Sequence, residues 1–339
     1  MTENHRPAAR HLPRRDALRL ATAGLAAAGL AAPGLARAQR GSWPTGPVRF
    51  IGIFPPGGGT DILSRIWCHR IGEIAGQQFI VENRSGSAGN VGTEAIARAS
   101  ADGNTIGLAS VAPLGISPTL YSSLPFDVNR DFTYVSGLWQ LPNLLVINND
   151  VPARTVPELI ALLKENPGKY AYASSGSGTT VHLSGEMFKS LAGLDILHVP
   201  YRGGAPAHID LLAGRVHMIF DNIPQGLASA REGKVRALAV TGAERSPQAP
   251  EIPTMAEFLP GFEITSWGGV MGPAGMPKPA VERLSALTKQ ALESPDLVAK
   301  FRDNGATTWW TTPEGLAEFR RQNEAAFAPL IRASGARVD

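Results

Sequence analysis

From residue 48 onward, short apolar runs alternate with longer segments whose apolar positions recur three and four residues apart. Residues 48–54 (VRFIGIF) are short and apolar enough for a buried strand, whereas 61–75 carry Ile62, Leu63, Ile66, Ile71 and Ile74 near helical spacing before Gly76 ends the pattern. A second strand is expected at 79–81, then a Gly/Ser loop at 85–90, a helix over 91–99, a turn at Asp102-Gly103 and a strand over 105–109. Alternation of this kind predicts parallel βαβ units with functional loops at the carboxyl ends of the strands.

Residues 132–148 read as two extended apolar runs broken by Pro142, the first crossing into a second lobe. Thr155 and Glu158 form a capping box that starts a helix ending near residues 166–168, and a strand at 170–173, a loop at 174–179 and a helix over 180–191 closed by Gly193 come next. Windows 49–72 and 170–193 thus repeat one plan: apolar strand, small-residue loop ending in Gly-Thr or Gly-Thr-Asp, helix. The segments 196–200, 205–212, 216–220 and 235–241 continue the alternation, and residues 250–260 lead out of the lobe. A return strand at 264–271, a helix over 279–293 and a closing helical segment over 313–333 bring the chain back. The expected architecture is α/β, with residues 39–141 plus 263–339 forming one discontinuous lobe and 142–262 the other, joined by two hinge crossings around a ligand cleft.

The N-terminus stands apart. Arg14 and Arg15 precede an Ala/Gly-rich apolar run over 18–35 that ends in Ala36-Arg37-Ala38, which reads as an export signal cleaved near Ala38-Gln39. The stretch 13–19 is similar to a twin-arginine signal, with Ala17 where a bulky residue is usual. Six of the 32 basic and two of the 29 acidic residues lie within 1–38, which leaves 26 and 27 in the remaining 301 residues and a net charge near −1. There is no basic field of the kind nucleic-acid binding needs. Cys68, the single cysteine, makes no intrachain disulfide and falls inside a helical pattern, as a small buried hydrophobe would.

Three consecutive glycines in PPGGGTD (55–61) raise the question of a phosphate or cofactor loop. No lysine follows Gly57, Gly58 and Gly59 as a Walker loop requires, and the dinucleotide spacing Gly-x-Gly-x-x-Gly fails because the loop runs into Thr60 and Asp61. No cofactor is therefore expected. Glycines at a helix start nevertheless expose backbone N–H groups where the helix dipole favours an anion such as a carboxylate. The loop Ser174-Ser175-Gly176-Ser177-Gly178-Thr179 offers the same chemistry with hydroxyls added, and it lacks the Gly-x-Ser-x-Gly of a nucleophile elbow. Either loop alone is equally a tight capped connection. Two of them on two lobes point to a cleft that holds an anion.

His69, His182, His198, His208 and His217 show no metal-ligand spacing. His182 follows the second loop closely enough to reach a ligand or to lie on a helix surface. Asp221, ending the strand at 216–220, either lines the cleft or caps the next segment, and Trp309-Trp310 is read as packing. No acid/base pair, nucleophile or metal set argues for catalysis, so a hydrolase or isomerase using Asp61 or Asp221 with Ser177 is the weaker reading.

The motifs taken in order carry more than any one of them. Phe54 to Asp61 (FPPGGGTD), Val81-Glu82-Asn83-Arg84 before a Gly-rich loop, Leu120-Tyr121 with Leu124-Pro125-Phe126-Asp127, and the 174–179 loop are followed by Val199-Pro200-Tyr201-Arg202-Gly203, the run 236–241 (RALAVT) and 252–257 (IPTMAE). This series, over about 43–333, closely resembles the Bug family, the extracytoplasmic solute receptors of tripartite tricarboxylate transporters. The resemblance implies a type II periplasmic-binding-protein fold whose two α/β lobes close on a small carboxylate. It implies that the loops 57–61 and 174–179 grip the carboxylate; together with Phe54 at the cleft mouth, the expected ligand-binding set is Phe54, Gly57, Gly58, Gly59, Thr60, Asp61, Ser110, Ser174, Ser177, Gly178, Thr179 and Asp221. The implied partners are a carboxylate ligand and the permease subunits of such a transporter, or a membrane sensor protein, met by a periplasmic monomer. Ser117-Pro118 and the run 101–104 (ADGN) depart from the usual Asn-Pro and Pro-Asp-Gly-Tyr, and both dicarboxylates and aromatic acids stay open as ligands.

Overall fold

The computed structural model describes residues 43–333 together with the isolated positions 1 and 337. The expected export segment lies, apart from residue 1, outside the described residues. Strand β1 (Val48–Gly52) sits between β2 (Phe79–Asn83) and β3 (Thr105–Ser110) and runs parallel to both, with Phe50 in register with Val81 and Ile106. Helix α1 (Gly59–Ala75) links β1 to β2, and α2 (Asn90–Ala97) links β2 to β3. Because the crossover helices cover a parallel sheet, β1 is apolar on both faces: Val48, Phe50 and Ile51 are all buried. Leu63, Trp67 and Ile71, four residues apart, form the buried stripe of α1, and the Trp67 ring meets Phe50 and Phe79 at 5.4 and 5.9 Å. Cys68 belongs to the same layer, and burial pushes its thiol well up from the ordinary value. Gly76 ends the helix in the left-handed region, at φ 66°. A π-helical turn (Ala112–Ile116) and the short α3 (Ser117–Leu120) follow β3.

The segment expected to break at Pro142 is instead one strand, β4 (Phe132–Asn148). Pro142 is its last residue paired with β9 (Thr265–Pro273), while Asn143 is already paired with the next sheet. A missing N–H is tolerated where the strand exchanges one set of partners for another, so the proline marks the crossing without ending the strand.

Beyond the crossing come α4 (Val156–Glu165), β5 (Ala171–Ser174), α5 (Thr180–Ala192), β6 (Leu197–Pro200), α6 (Gly204–Leu212), β7 (Met218–Asn222), α7 (Ile223–Arg231) and β8 (Val235–Val240). β5 is parallel to β6 and β7, while β4 is antiparallel to β7 and β8. The two-residue period divides this lobe's core into two layers: Leu145, Ile147, Met218 and Phe220 pack with α4 and α5 on one side, and Leu144, Val146 and Ile219 with α6 and α7 on the other. At the head of α4 only half of the expected capping box forms. Thr155 Oγ1 accepts the Glu158 N–H at 3.3 Å, but the Glu158 carboxylate takes the Arg154 amide at 2.7 Å.

β9 returns between β3 and β4, antiparallel to both, and α8 (Lys278–Leu292), α9 (Pro295–Asp303), β10 (Thr307–Thr308) and α10 (Pro313–Ala333) complete the first lobe. Helices α7 and α9 are absent from the sequence expectation. Trp309 packs on Trp267 and Phe319, as expected of a packing residue. At the crossing, buried Thr241 ties three passes of chain together: its hydroxyl accepts from Asn143 N at 2.8 Å and donates to Ile264 O at 2.6 Å. The result is a two-lobed α/β fold of the type II periplasmic-binding-protein kind.

Candidate functional site

In the first loop the glycines lead directly into α1, with Gly58 as an extended N-cap that has no side-chain bond. Asp61 turns away from the cleft. Its carboxylate accepts Gly57 N–H at 3.0 Å, Arg65 Nε at 2.9 Å and Asn83 Nδ2 at 2.8 Å, and Asn83 Nδ2 also donates to Phe54 O. Burial alone would raise the Asp61 carboxyl, but these three donors overcome it and hold the group ionised below its ordinary range. Gly57 and Asp61 are thus the frame of the loop, and the amides of Gly59 and Thr60 occupy the first turn, where no intrahelical carbonyl can reach them.

The second loop is framed by aromatic nitrogen rather than by a carboxylate. Ser174 Oγ bonds His198 Nε2 at 2.7 Å, Gly178 N–H donates to His182 Nδ1 at 3.2 Å, and the His182 and His198 rings stack at 4.2 Å with Tyr172 continuing the stack. Accepting from Gly178 requires an unprotonated Nδ1. Burial drives both rings toward the neutral form: it lowers His182 against the pull of Glu186, and with help from His182 and Lys189 it takes His198 down to about 3. Thr179 caps α5 by accepting His182 N–H at 3.2 Å, which leaves the Thr180 and Val181 amides in the first turn.

These loops face one another across a cleft lined by Phe54, Gly58, Gly59, Thr60, Ser110, Thr179 and Asp221 from the expected set. Ser175, within the second loop, joins them, as do Thr180, Gly203, Gly204, Asn222, Gln225 and Ser266, which lie outside both expected loops. The additions have a common cause. Gly203 is the N-cap of α6 and Asn222 the N-cap of α7, so four helix N-termini converge on one space, and three of the four N-caps make no side-chain bond. Gly203-Gly204 after the strand at 196–200 was the available signal, since it repeats the strand–glycine–helix plan. Only about 50 Å³ of the cleft admits the centre of a water molecule. That is room for a carboxylate with a water or two, given that one water needs about 10–15 Å³ on this measure. The walls nearly touch: a Cβ on Gly59 would lie 3.3 Å from Asn222 Cβ and Pro224 Cγ, and one on Gly203 only 2.8 Å from Pro55.

Ser174 and Gly178 shape the second loop from behind the wall, and Ser177 opens onto an adjoining outer chamber of about 540 Å³. The chamber shares Phe54, Pro55, Ser175 and Gly203 with the cleft and is also lined by Tyr121, Tyr201 and Arg202. Arg202 is exposed and has no ion-pair partner among the described residues. The chamber's far wall, residues 86–89, runs through four successive positive φ angles, two of them at Ser87 and Ala88. Neither Asp61 nor Asp221 hydrogen-bonds Ser177, so the structure does not assemble the constellation weighed for catalysis. Among the described residues no group of three or more His, Cys, Asp or Glu could hold a metal ion, and no helix is long and apolar enough to cross a membrane.

Residues 63–336 match the model of the tripartite tricarboxylate transporter family receptor. The chain belongs to this family of Bug receptors. It is 40% identical over 298 residues to a UPF0065 protein in the tcbD-tcbE intergenic region of Pseudomonas sp. (strain P51), covering 87% of this chain and 88% of that one. It is 36% identical to the protein BugT of Bordetella pertussis (strain Tohama I), over 94% and 96% of the two chains. Among solved structures, R. palustris Rpa4515 with adipate superposes with a TM-score of 0.85 at 34% identity, covering 87% of this chain and all of that one. MatC (Rpa3494) from Rhodopseudomonas palustris with bound malate gives 0.80 at 28% identity, over 85% and 100%. The fold is therefore shared with two proteins whose structures carry adipate and malate.

Proposed function

We propose that this receptor captures a small organic acid outside the cytoplasm by seating a carboxylate among the four helix N-termini and closing its lobes over it. The carrying observation is that convergence, in a cleft whose lining contains no Lys, Arg or His. Aligned backbone donors at uncapped helix ends replace the water around an anion, and the drying of a closing cleft strengthens each of them. The candidate contacts are the amides of Gly59, Thr60, Thr180, Val181 and Gly204 and the hydroxyls of Thr60 and Ser110, while the Thr179 hydroxyl donates to Gly176 O at 2.8 Å. Closure is the motion of lobe 142–262 against the other lobe about β4 and the Thr241 crossing.

The body of the acid extends into the outer chamber, since the inner space holds little beyond the carboxylate. There Arg202 is positioned to meet a second anionic group, and Phe54 and Tyr121 a hydrocarbon or ring. The relatives that carry adipate and malate support a ligand with two carboxylates. Export to the periplasm with cleavage near Ala38-Gln39, a monomeric state, and delivery to the permease subunits of a tripartite transporter complete the proposal. A thermal-shift screen of mono-, di- and tricarboxylates, aromatic acids and amino acids tests it. At a hundred times Kd a ligand adds about 2.7 kcal/mol to the stability of the folded state, a rise of roughly 5–10 °C in Tm. Absence of any shift with every acid, or turnover of a bound acid, refutes the reading.

A further inference from the structure

One ionisable side chain lines the inner cleft, and it has the wrong sign for an anion site. Asp221, at the carboxyl end of β7, is 2% exposed. Its Oδ1 accepts the Asn222 N–H at 2.8 Å, and its Oδ2 lies 2.8 Å from Nδ1 of His208 on α6, itself 4% exposed. His208 Nε2 in turn lies 2.7 Å from Ser229 Oγ on α7. A carboxylate, an imidazole and a hydroxyl thus form a chain leading from the cleft wall to the helix behind it.

No other charged side chain acts on Asp221 among the described residues. On α6, Asp210 is engaged by Tyr201 and Arg215; on α7, Arg231 donates to Gln248 O; on α1, Asp61 is paired with Arg65; and the polar β4 residues Asn143 and Asn148 are uncharged. Burial pushes the Asp221 carboxyl up, and His208 opposes it.

We propose that the Asp221–His208 pair takes up one proton when the cleft takes up a carboxylate, so that His208 is the positioning residue that makes this wall compatible with an anion. With Asp221 ionised, the neutral imidazole donates from Nδ1 to the carboxylate and accepts the Ser229 hydroxyl at Nε2, leaving a net charge of −1. Adding a proton at Nε2 makes the pair neutral and turns that nitrogen into a donor. The Ser229 hydroxyl answers by rotating from donor to acceptor, and no heavy atom moves. A second negative charge arriving in a water-poor cleft favours the neutral state of the pair, because like charges disfavour one another's ionisation. By linkage, carboxylate affinity is highest at low pH and falls as pH rises through the titration of the pair, by up to about tenfold per pH unit for one proton.

This inference rests on the carboxylate seat proposed above, and the test separates the two. The probe is acetate, small enough for the inner space alone, with the purified protein from about pH 5.5 to about pH 8.5. Thermal stabilisation by acetate reports the seat, and the NMR signal of the His208 ring, assigned by its absence in His208→Gln, reports the proton. The expected results are acetate affinity falling with pH, a ring midpoint that moves upward when acetate is added, and proton uptake near one in calorimetry across buffers of different ionisation heat. His208→Gln keeps a side-chain amide at this position but cannot titrate, so its pH slope flattens; Asp221→Asn removes the negative charge, so at high pH it binds acetate more tightly than the wild type. A purely structural role for His208 predicts instead a loss of affinity in His208→Gln by one factor at every pH with the wild-type slope retained, and that outcome overturns the proposal. Acetate that stabilises equally across the range with an unmoved ring midpoint removes this inference alone. Acetate that fails to stabilise at any pH removes the seat and the inference together.

Discussion

Replacing Gly59 separates lobe closure from folding. Its φ lies outside the left-handed region, so an L side chain meets no backbone strain there, and a Cβ would meet Asn222 Cβ and Pro224 Cγ at 3.3 Å. Both neighbours belong to the opposite lobe, so the added atoms are crowded only when the cleft is shut. Alanine needs its neighbours to give by a few tenths of an ångström, on the order of 0.5–1 kcal/mol, and valine adds two methyl groups to the same gap for about 1–3 kcal/mol. At 1.4 kcal/mol per tenfold, Gly59→Ala should weaken binding by about two- to fivefold and Gly59→Val by roughly five- to 150-fold. The unliganded proteins should melt at or above the wild-type temperature, because alanine is favoured over glycine in a helix by up to about 1 kcal/mol. Calorimetric titration with the acid that stabilises best, beside unliganded thermal unfolding, measures both quantities. A valine variant with wild-type Kd refutes closure at this contact, and one whose unliganded stability falls in step with its affinity refutes the separation of closure from folding.

Other substitutions probe the rest of the site. Gly58, with only Pro55 O near its Cβ position and φ −79°, should accept leucine without loss of stability while losing ligand response; Gly178, at φ 85° with Leu120 Cδ2 2.6 Å from its Cβ position, should lose stability as well when made valine, both read by thermal unfolding with and without acid. Arg202→Gln should weaken a dicarboxylate and leave the monocarboxylate of the same chain length unchanged in calorimetry, and equal losses for both would place the second carboxylate elsewhere. His198, held near 3 in the fold against about 6.5 when unfolded, contributes stability that is complete above about pH 6.5 and is lost as pH falls toward 3. The slope is at most about 1.4 kcal/mol per pH unit, trimmed by solvent at this half-buried ring, and denaturant titrations should find it flattened in His198→Gln.

The first strand, glycine loop and helix could be read from the sequence because every determinant is local: an apolar run, a helix-breaking triplet, then apolar residues at helical spacing up to Gly76. Pro142 misled, since its tolerance depends on strand partners more than a hundred residues away. Helix α7 escaped notice because its nine residues include Pro, Gly, Ser and two Ala and bury little, so its start at Asn222-Ile223-Pro224 was a weak signal. The site was half legible for the same reason. Two of the four converging helix ends carry long glycine loops and a third the shorter Gly203-Gly204 signal; that the ends of α6 and α7 meet the first two follows from the order of strands in the second sheet, which no spacing in the sequence encodes. The union of Asp221 with His208 is likewise made by packing a helix on a strand, thirteen residues apart.

In the proposed seat the main-chain amides are out of reach of most codon changes, and they are lost only where a new side chain fills the gap at a loop glycine such as Gly58 or Gly59 or disturbs the helix that presents them. On that proposal, substitutions in the outer chamber would exchange one ligand body for another while the grip on the acid group persists. A lineage carrying a binding head of the proposed kind would then change ligand in single steps without passing through a form that binds nothing.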